Sequence, residues 1–421
     1  MSSIIEYFKN IVTIPHCSQD ADRLLEYLSN FAKERDYSVS IDSSKNLLIS
    51  KGRPRLALQA HYDMVCMGDA PSIEIYEEDG WLRAKNSSLG ADNGIAIAMM
   101  MTLMDRGDEL EFLLTSDEEI GLIGATALSF DLSSKYMLNL DSEDEAEVYI
   151  GCAGGVDIVA TKPYRYGTGD GDTYRVSIDG LPGGHSGVDI DRGIPNAIKI
   201  LASYLKDRDV DIVDISGGER LNSIPSSAYA ILKSKEDLIG SDMVEVESIE
   251  DSKPAMFGAS EIIDLLNDFD HGVRDMNEQF KIPQTSINLA MVSIKDGICT
   301  IESSARAISS ESLDRITKES IDFFKSYGFD VESRDKYPSW QPDINSFTKI
   351  VDSSMKEVYG ESKMVVIHAG LECGVISQKY PDIQIASIGP TIRYPHSTRE
   401  EVKLDSVEMT FEVLKRVVET I

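Results

Sequence analysis

Residues 56–61 read LALQAH, and two further apolar segments follow along the chain, GIAIAMMMTLM (94–104) and LEFLLTS (110–116). The first and third segments are short enough to predict buried strands, whereas the second is long enough to predict a buried helix. Another short apolar run, YMLNLD (136–141), predicts a further strand. Strands that alternate with helices in this way predict an α/β fold, with a mostly parallel sheet covered by helices.

The pattern of predicted elements changes in the middle of the chain. Residues 168–340 predict a strand, a helix, strands that include a hairpin turning at Asp296-Gly297, a second helix and a last strand, which is typical of an α+β layer. Helix–strand alternation returns in residues 341–421. We therefore predict an α/β domain formed by residues 1–167 and 341–421, with an inserted α+β domain at residues 168–340.

Length and charge limit the possible classes of function. A chain of 421 residues is too long for one ordinary core, which agrees with two domains. The formal net charge is −31, and a surface of this sign repels nucleic acid and anionic membranes. No apolar run reaches the roughly 18 residues of a membrane span, and the first residues lack the pattern of a secretory signal. We therefore expect neither a nucleic-acid partner nor a membrane partner.

The cysteines of the chain are odd in number and far apart in the sequence. They are Cys17, Cys66, Cys152, Cys299 and Cys373. Such a set is not typical of a disulfide framework, and it predicts reduced thiols in a cytoplasmic protein. Cys66, Cys152 and Cys373 are interpreted as small buried residues rather than as nucleophiles.

Acidic and imidazole side chains follow the predicted strands of the first domain, which is where open α/β sheets place their sites. His61 and Asp63 come at the end of the first of these strands. Side chains two residues apart in an extended segment face the same way, so Asp63 is placed to hold one ring nitrogen of His61 while the other nitrogen binds a metal. The alternative is a strand-end histidine that is paired with an acid for solubility.

Other strand ends add further carboxylates. Glu118 and Glu119 follow the next strand, and since adjacent residues point in different directions, one suits a metal and the other a water molecule. A solvated acidic turn is the alternative there. Asp141 ends an apolar strand, where an unpaired carboxylate would be costly to bury unless it bound a metal. Asp92 precedes the predicted buried helix, as an N-cap or as a ligand, and His396 lies in a loop before the last helix.

Together these residues suit a site for two metal ions. Two imidazoles and three carboxylates supply the ligands, Asp92 fits a bridging position, and Glu118 is left over as a spare acid. Imidazole combined with carboxylate favours zinc, with manganese or cobalt as substitutes. Two metal ions about 3.5–4 Å apart are a common arrangement for aminopeptidase-type hydrolysis.

Several segments between residues 56 and 397 carry a resemblance to a known family. They are LQAHYDMV, SSLGADNGIAIA, TSDEEIGLIGA, NLDSEDEAEVYIGCAGG, PGGHSG, HAGLECG and PTIRYPHS. The chain resembles the di-zinc aminoacylase/carboxypeptidase/dipeptidase family, and within it most closely the aminoacyl-histidine (Xaa-His) dipeptidases. The resemblance implies a metal-dependent exopeptidase that hydrolyses dipeptides of the Xaa-His type or more broadly, with small peptides as its substrates.

The resemblance also implies roles for individual residues of the first domain. The metal ligands that it implies are His61, Asp92, Glu119, Asp141 and His396, with Asp92 shared between the two ions. Glu118 would be the general base that activates the bridging water. Asp63 would orient His61.

The inserted domain resembles the ferredoxin-like lid of the family, which tends to mediate dimerisation, so the resemblance implies a homodimer. His185 in PGGHSG would polarise the scissile carbonyl or hold the oxyanion. Asn222 and Arg306 would hold the substrate carboxylate, and Gly370 would contact the substrate through its backbone. A simple glycine-rich turn and a surface charge are the alternatives for His185 and Arg306. The acidic, compact segment 234–260 predicts a shortened lid.

Two other functions remain open. The same metal core serves amidohydrolases that act on N-acyl amino acids, and a requirement for a free α-amino group in the substrate separates the two activities. The other is a non-catalytic metal-binding homologue. The presence of Glu118 together with all five candidate ligands argues against that function.

Overall fold

The structure is a computed structural model of the chain, and it describes residues 3–251 and 253–421. The helices are α1 (Ser3–Ile11), α2 (Asp22–Lys33), α3 (Ala91–Arg106), α4 (Ile123–Ala127), α5 (Ala197–Leu205), α6 (Glu261–Asp268), α7 (Ser310–Ser326), α8 (Ser346–Tyr359), α9 (Glu372–Lys379) and α10 (Leu404–Thr420).

The strands before the middle of the chain are β1 (Ser38–Ile41), β2 (Leu47–Ser50), β3 (Leu56–His61), β4 (Ile75–Glu78), β5 (Trp81–Ala84), β6 (Glu111–Thr115), β7 (Tyr136–Asn139), β8 (Glu147–Cys152), β9 (Gly154–Pro163), β10 (Tyr166–Gly167), β11 (Asp172–Ile178) and β12 (Gly184–His185). The later strands are β13 (Val210–Gly217), β14 (Ser223–Ile224), β15 (Ala228–Ser234), β16 (Glu245–Ser248), β17 (Ala255–Met256), β18 (Gly272–Asn277), β19 (Ile282–Lys295), β20 (Ile298–Ala307), β21 (Asp330–Tyr337), β22 (Lys363–Ile367), β23 (Gln384–Ser387), β24 (Ile392–Arg393) and β25 (Glu401–Lys403).

The chain divides into two compact units. The discontinuous unit comprises the chain up to Cys152 together with Trp340–Val366 and Leu371–Ile421. The inserted unit comprises Ala153–Ser339 and Ile367–Gly370. The first boundary differs from the predicted one at residues 167–168, because β9 pairs along its length with β20 and β21. The composition of a strand does not reveal its partners, so β9 could not be assigned from the sequence.

The discontinuous unit is built on an eight-stranded sheet in the order β1-β2-β6-β3-β7-β23-β8-β22. Its four central strands, β6, β3, β7 and β23, run parallel, whereas β2 and β8 join them antiparallel. All positions of β3 and β6 are buried, as is usual for strands covered on both faces. His61 pairs with Thr115 and Gln59 with Asn139, so the carboxyl ends of β3, β6 and β7 meet at one edge. The predicted α/β class is confirmed.

Helix α3 is the central helix of this unit, and it has almost no exposed face. Nearly every residue from Ala91 to Met104 is buried, which is why its sequence is apolar on all sides. Gly107 ends the helix with φ 80°, and its N–H donates to the carbonyl oxygens of Leu103 and Met104. The first turn of α3 carries Asp92, so this helix fixes one of the predicted ligands.

The inserted unit contains an antiparallel nine-stranded sheet in the order β16-β11-β15-β13-β19-β20-β9-β21, with β18 paired to β19. Its core includes Leu201 from α5, Leu266 from α6 and Phe324 from α7. Asp296 and Gly297 connect β19 to β20 with φ of 51° and 76°, the left-handed values that a two-residue type I′ hairpin turn requires. This α+β layer agrees with the predicted class of the inserted domain.

One disulfide corrects the prediction for the cysteines. Cys17 and Cys66 are bonded to each other, and both side chains are partly exposed, so the interpretation of Cys66 as a small buried residue was wrong. This pair could not be predicted, because the two cysteines are 49 residues apart in an odd-numbered set. Cys152, Cys299 and Cys373 are buried and are not part of a disulfide. Among the described residues, no helix combines the length and the apolar character that a membrane crossing requires.

Candidate active site

His61 ends strand β3 and is almost completely buried, with 1% of its surface exposed. Its Nε2 lies 3.1 Å from Oδ1 of Asp92 and 3.3 Å from Oδ1 of Asp141. Its Nδ1 lies 3.0 Å from the carbonyl oxygen of Asp63 but 3.6 Å from the carboxylate Oδ1 of that residue. Asp63 therefore contacts the ring mainly through its backbone, whereas the sequence prediction used its side chain. The other ring nitrogen, Nε2, faces the carboxylates of Asp92 and Asp141.

His396 faces the other side of Asp92. Its Nε2 lies 2.8 Å from Oε2 of Glu119 and 3.1 Å from Oδ2 of Asp92. Asp92 thus directs one carboxylate oxygen towards each imidazole. The structure brings together all the ligands that the sequence predicted, and they are named the acidic cluster: His61, Asp92, Glu119, Asp141 and His396.

Burial and close contact shift the pKa values of several groups in the acidic cluster. Burial raises the pKa of Asp141, and it raises the pKa of Glu119 to about 6. Burial lowers the pKa of His396, but its hydrogen bonds to Asp92 and Glu119 outweigh that effect and raise the pKa to about 11. Oε1 of Glu119 is buried and has no hydrogen-bond partner within residues 3–251 and 253–421. Crowded carboxylates, an unused buried oxygen and imidazole nitrogens fit divalent cations of the zinc type.

The carboxylate of Asp63 fixes the turn that follows β6. Its Oδ1 accepts the N–H of Glu118 at 2.9 Å, and its Oδ2 accepts the N–H of Glu119 at 3.4 Å and the hydroxyl of Ser18 at 2.7 Å. Burial raises the pKa of Glu118 well above its ordinary value, an effect that His61 opposes and Glu119 strengthens. Glu118 is therefore a carboxylate with an increased tendency to hold a proton, as a general base that returns its proton must be.

A buried polar layer beside the acidic cluster was missed by the sequence analysis. Oε2 of Glu372 accepts hydrogen bonds from Gln59 at 2.5 Å and from the hydroxyl of Thr115 at 2.7 Å. Gln59 accepts a hydrogen bond from the side chain of Asn139, whose own Oδ1 accepts the N–H of Asp141 at 3.2 Å. These bonds connect the carboxyl ends of β3, β6 and β7. Polar residues inside otherwise apolar strands were the available signal for this layer.

The inserted unit carries a different polar group, named the basic cluster: His185, Ser186, Arg306 and Tyr337. Arg306 is 6% exposed, and its NH1 donates to the hydroxyl of Tyr337 at 2.7 Å while its NH2 donates to Ser186 at 3.5 Å. The Nε of Arg306 is buried, and no hydrogen-bond partner for it lies in the part of the chain that the structure describes. A buried guanidinium with an unused N–H suits a carboxylate ligand.

The ring of His185 has a defined tautomer. Its Nδ1 accepts the backbone N–H groups of Gly187 at 3.1 Å and Val188 at 3.2 Å. Because Nδ1 accepts these bonds, the ring proton lies on Nε2, which is then a donor. His185 is thus held by its own glycine-rich turn in the form that donates a hydrogen bond.

The two remaining predicted residues lie beside the basic cluster. The carbonyl oxygen of Asn222 accepts the N–H of Ser186 at 2.8 Å, but the side chain of Asn222 is exposed. A Cβ atom on Gly370 would lie 2.7 Å from the ring of Tyr337, so only glycine allows the backbone to approach this ring without a shift. The backbone at Gly370 therefore lies close to the ring of Tyr337. Among the described residues, the structure records no contact between the side chains of Asn222 and Arg306.

The chain matches one family of proteins over most of its length. The family model for the peptidase family M20/M25/M40 matches residues 57–420. The chain belongs to this peptidase family. The prediction of a hydrolytic enzyme, made from the strand-end ligands and the motifs around them, is confirmed.

Individual relatives agree with this assignment. The cytosol non-specific dipeptidase of Escherichia coli (strain K12) is 33% identical over 457 residues, which cover 96% of this chain and 94% of the relative. The crystal structure of an aminoacylhistidine dipeptidase from Vibrio alginolyticus matches with a TM-score of 0.82 and 29% identity, covering 100% of this chain and 96% of that one. The aminopeptidase PepT from Bacillus cereus has the same fold, with a TM-score of 0.61 and 16% identity over 99% of this chain and 97% of that one. The predicted resemblance to dipeptidases of this family is confirmed.

Proposed function

We propose that this chain is a metal-dependent dipeptidase of the M20/M25/M40 family that hydrolyses the peptide bond of small dipeptides, of the Xaa-His type or more broadly. The acidic cluster would hold two divalent metal ions, zinc by preference, with manganese or cobalt as substitutes. Similarity to two proteins named as dipeptidases, one of them aligned over 96% of the chain, supports the substrate class.

The observation that carries this proposal is the position of Asp92. Its Oδ1 faces Nε2 of His61 and its Oδ2 faces Nε2 of His396, each at 3.1 Å. Asp141 completes the group around His61, and Glu119 completes the group around His396. One carboxylate placed between two imidazoles, each with a further carboxylate, is the arrangement that a bridging ligand requires.

Glu118 carries the proton in the proposed reaction. Two divalent cations, when bound, lower the pKa of a water molecule and polarise the peptide carbonyl. Glu118 takes a proton from the attacking water and gives it to the nitrogen of the leaving amino acid, so the carboxylate is regenerated at the end. The products are two free amino acids. The carboxylate of Asp63 keeps Glu118 in place through its backbone N–H, at 2.9 Å.

The basic cluster supplies the groups that recognise the substrate in this proposal. His185, in its own subunit or a neighbouring one, donates from Nε2 to the oxyanion that forms on the carbonyl. Arg306 pairs with the carboxylate of the dipeptide through a charge-assisted hydrogen bond, with Asn222 assisting and Gly370 contacting the substrate through its backbone. The unused N–H on the Nε of Arg306 supports this role.

Two further properties belong to the proposal. The inserted unit is proposed to form a homodimer, which light scattering of the purified protein tests directly. The location is proposed to be cytoplasmic, in line with the cytosolic name of the relative from Escherichia coli. The shortened lid stays a prediction. The alignment with the relative from Escherichia coli spans 457 residues, which is more than the 421 residues of this chain, and this agrees with additional segments in the relative.

The test is a hydrolysis screen with metal-free protein. Chelated enzyme is supplied with zinc, manganese or cobalt and offered dipeptides, including Xaa-His peptides, and the same peptides with an acetylated N-terminus. We expect metal-dependent release of amino acids from the free dipeptides only. Hydrolysis of the acetylated compounds alone would favour an amidohydrolase, and no turnover of either set with two ions bound would favour a non-catalytic homologue.

A further inference from the structure

Glu400 binds the backbone at the start of helix α3 and is buried, with 3% of its surface exposed. Its Oε2 accepts the N–H of Leu89 at 2.7 Å and the N–H of Gly90 at 3.0 Å. Its Oε1 accepts the N–H of Ala91 at 2.8 Å and the N–H of Asp92 at 3.2 Å. One carboxylate therefore satisfies a run of consecutive amides that ends at the residue facing both imidazoles.

These amides need a partner from elsewhere in the chain. The first N–H groups of a helix have no acceptor within the helix. Gly90, which precedes α3 with φ 73°, has no side chain that could cap them. A negative group is favourable at a helix N-terminus, and several N–H donors offset the burial of a carboxylate. Glu400 meets this need from a position 311 residues away from Leu89 in the sequence.

Glu400 also belongs to the segment that carries the second imidazole. It follows His396 by four positions, and the N–H of Glu400 itself donates to the carbonyl oxygen of Ser397 at 3.2 Å. The same short segment thus positions His396 and holds the backbone of Asp92. A change at Glu400 would alter the distance between these two residues, which are 3.1 Å apart at Nε2 and Oδ2.

We propose that Glu400 is a positioning residue of the metal centre, which holds Asp92 so that its two oxygens face His61 and His396 at the same time. This inference rests on the proposed function, because it concerns the ligands of the proposed metal ions. Outer partners that orient a ligand usually contribute roughly 10- to 100-fold to metal affinity. A residue that only filled the space under α3 would affect folding stability and leave metal affinity unchanged.

Glu111 provides a matched control in the same unit. It is also 3% exposed, and its carboxylate accepts the N–H of Ser133 at 2.9 Å, the hydroxyl of Ser133 at 2.7 Å and the N–H of Ser134 at 2.9 Å. Glu111 begins strand β6, whereas the turn with Glu118 follows the opposite end of that strand. Glu111→Gln therefore removes a comparable buried charge with comparable donors, away from the acidic cluster.

The experiment compares wild type, Glu400→Gln and Glu111→Gln. Glutamine has one acceptor oxygen, so it meets only one of the two pairs of N–H groups that Glu400 accepts. Zinc affinity is measured by competition with a coloured chelator, urea unfolding is measured on metal-free protein, and the visible spectrum is recorded with cobalt bound. We expect both variants to lose stability. Only Glu400→Gln should lose zinc affinity, by roughly 10- to 100-fold, and show a changed cobalt spectrum.

The outcomes separate this role from the proposed function. Wild-type zinc affinity in Glu400→Gln, or an equal loss of affinity in both variants, would overturn the positioning role. If Glu400→Gln does not fold, Glu400→Asp replaces it, since its shorter side chain keeps the charge but cannot reach all the amides. Unchanged zinc affinity in that variant would equally overturn the inference. A wild-type protein that does not bind two ions would refute the proposed function, and this inference with it.

Discussion

The acidic cluster and the basic cluster each contain a buried polar atom that the protein leaves without a partner among the described residues, but the two atoms call for ligands of opposite charge. In the acidic cluster, carboxylates crowd around two imidazoles, and no described residue donates a hydrogen bond to Oε1 of Glu119. In the basic cluster, the guanidinium of Arg306 is buried, and its N–H on Nε finds no acceptor among the residues that the structure describes. Buried polar groups are normally satisfied, so we interpret these two atoms by the charge of the ligand that each could accept. The first group suits cations and the second suits an anion.

This difference predicts different consequences for substitutions. Changes in the acidic cluster should alter metal content, whereas changes in the basic cluster should alter kinetic constants while metal content stays full. Asp92→Ala tests the prediction for the acidic cluster, and it should have the largest effect of all the substitutions. Since Asp92 serves both imidazole groups, both tight metal sites and nearly all turnover should be lost, as measured by metal analysis and dipeptide hydrolysis.

Asp105→Ala is the control for Asp92→Ala. Asp105 lies on the same helix α3, but it is exposed and pairs with Arg35 at 2.9 Å. Its loss should leave metal content and turnover near the wild-type values. Two firmly bound ions in Asp92→Ala would show that Asp92 is not a bridge.

Glu118→Gln separates the proton transfer in catalysis from metal binding in the discontinuous unit. The variant keeps the shape of the side chain and its backbone bond to Asp63, but it cannot accept a proton. We expect full metal content, a wild-type unfolding curve and a kcat lowered by at least ~10²-fold. Turnover close to that of the wild type would identify Glu118 as an acid without a catalytic role.

The acidic cluster could be predicted from the sequence because most of its residues lie at or next to the ends of apolar strands. His61, Asp141 and the Glu118–Glu119 pair each follow an apolar strand, and parallel strands bring their carboxyl ends together. Glu400 was not predicted, since its role depends on backbone amides that are 308 to 311 residues away in the sequence. For the same reason, the pair Cys17–Cys66 and the sheet partners of β9 were invisible in local patterns. Long-range pairing is what the structure adds to the sequence.

His185→Ala tests the basic cluster at the level of kcat. A hydrogen-bond donor that acts on the oxyanion should lower kcat by roughly 10²- to 10³-fold when it is lost, with metal content unchanged. Mixing this variant with Glu118→Gln then asks which subunit supplies His185. Partial recovery of activity in the mixture indicates action across a dimer, because mixed dimers contain one intact site. Unchanged kinetics in His185→Ala would leave PGGHSG as a structural turn.

Arg306→Ala should have a smaller and different effect. Loss of a charge-assisted hydrogen bond of ~1.5–3 kcal/mol raises KM by roughly 10- to 100-fold, with kcat changed much less. Arg334→Ala is the matched control, because Arg334 lies in the same unit but is 43% exposed and pairs with Glu302 on the surface. A lower kcat at constant KM in Arg306→Ala would assign Arg306 to the transition state instead of to the substrate carboxylate.

Removal of the disulfide should have the smallest effect on activity. It should affect the acidic cluster slightly and the basic cluster not at all. The disulfide Cys17–Cys66 connects the segment that contains Ser18 to the segment that follows Asp63. The hydroxyl of Ser18 donates a hydrogen bond to the carboxylate of Asp63 at 2.7 Å. Backbone bonds between His16, Ser18 and Met64 also join these segments, so the loop should persist without the disulfide. Replacing both cysteines by alanine should therefore lower the free energy of unfolding by about 2–4 kcal/mol. Zinc affinity should fall less than tenfold, and the KM that reports on the basic cluster should not change.

Counting thiols decides whether this pair is bonded in solution. Protein purified without reductant and unfolded without reductant should show three reactive thiols, and five after reduction, because Cys152, Cys299 and Cys373 are not part of a disulfide. Cys299→Ala serves as the control for the loss of a buried sulfur in the inserted unit. Five thiols before reduction would contradict the disulfide and agree with the reduced state that the odd number of cysteines predicted. In that case Ser18 and the backbone bonds alone would hold the loop beside Asp63, and the double alanine variant should be as stable as the wild type.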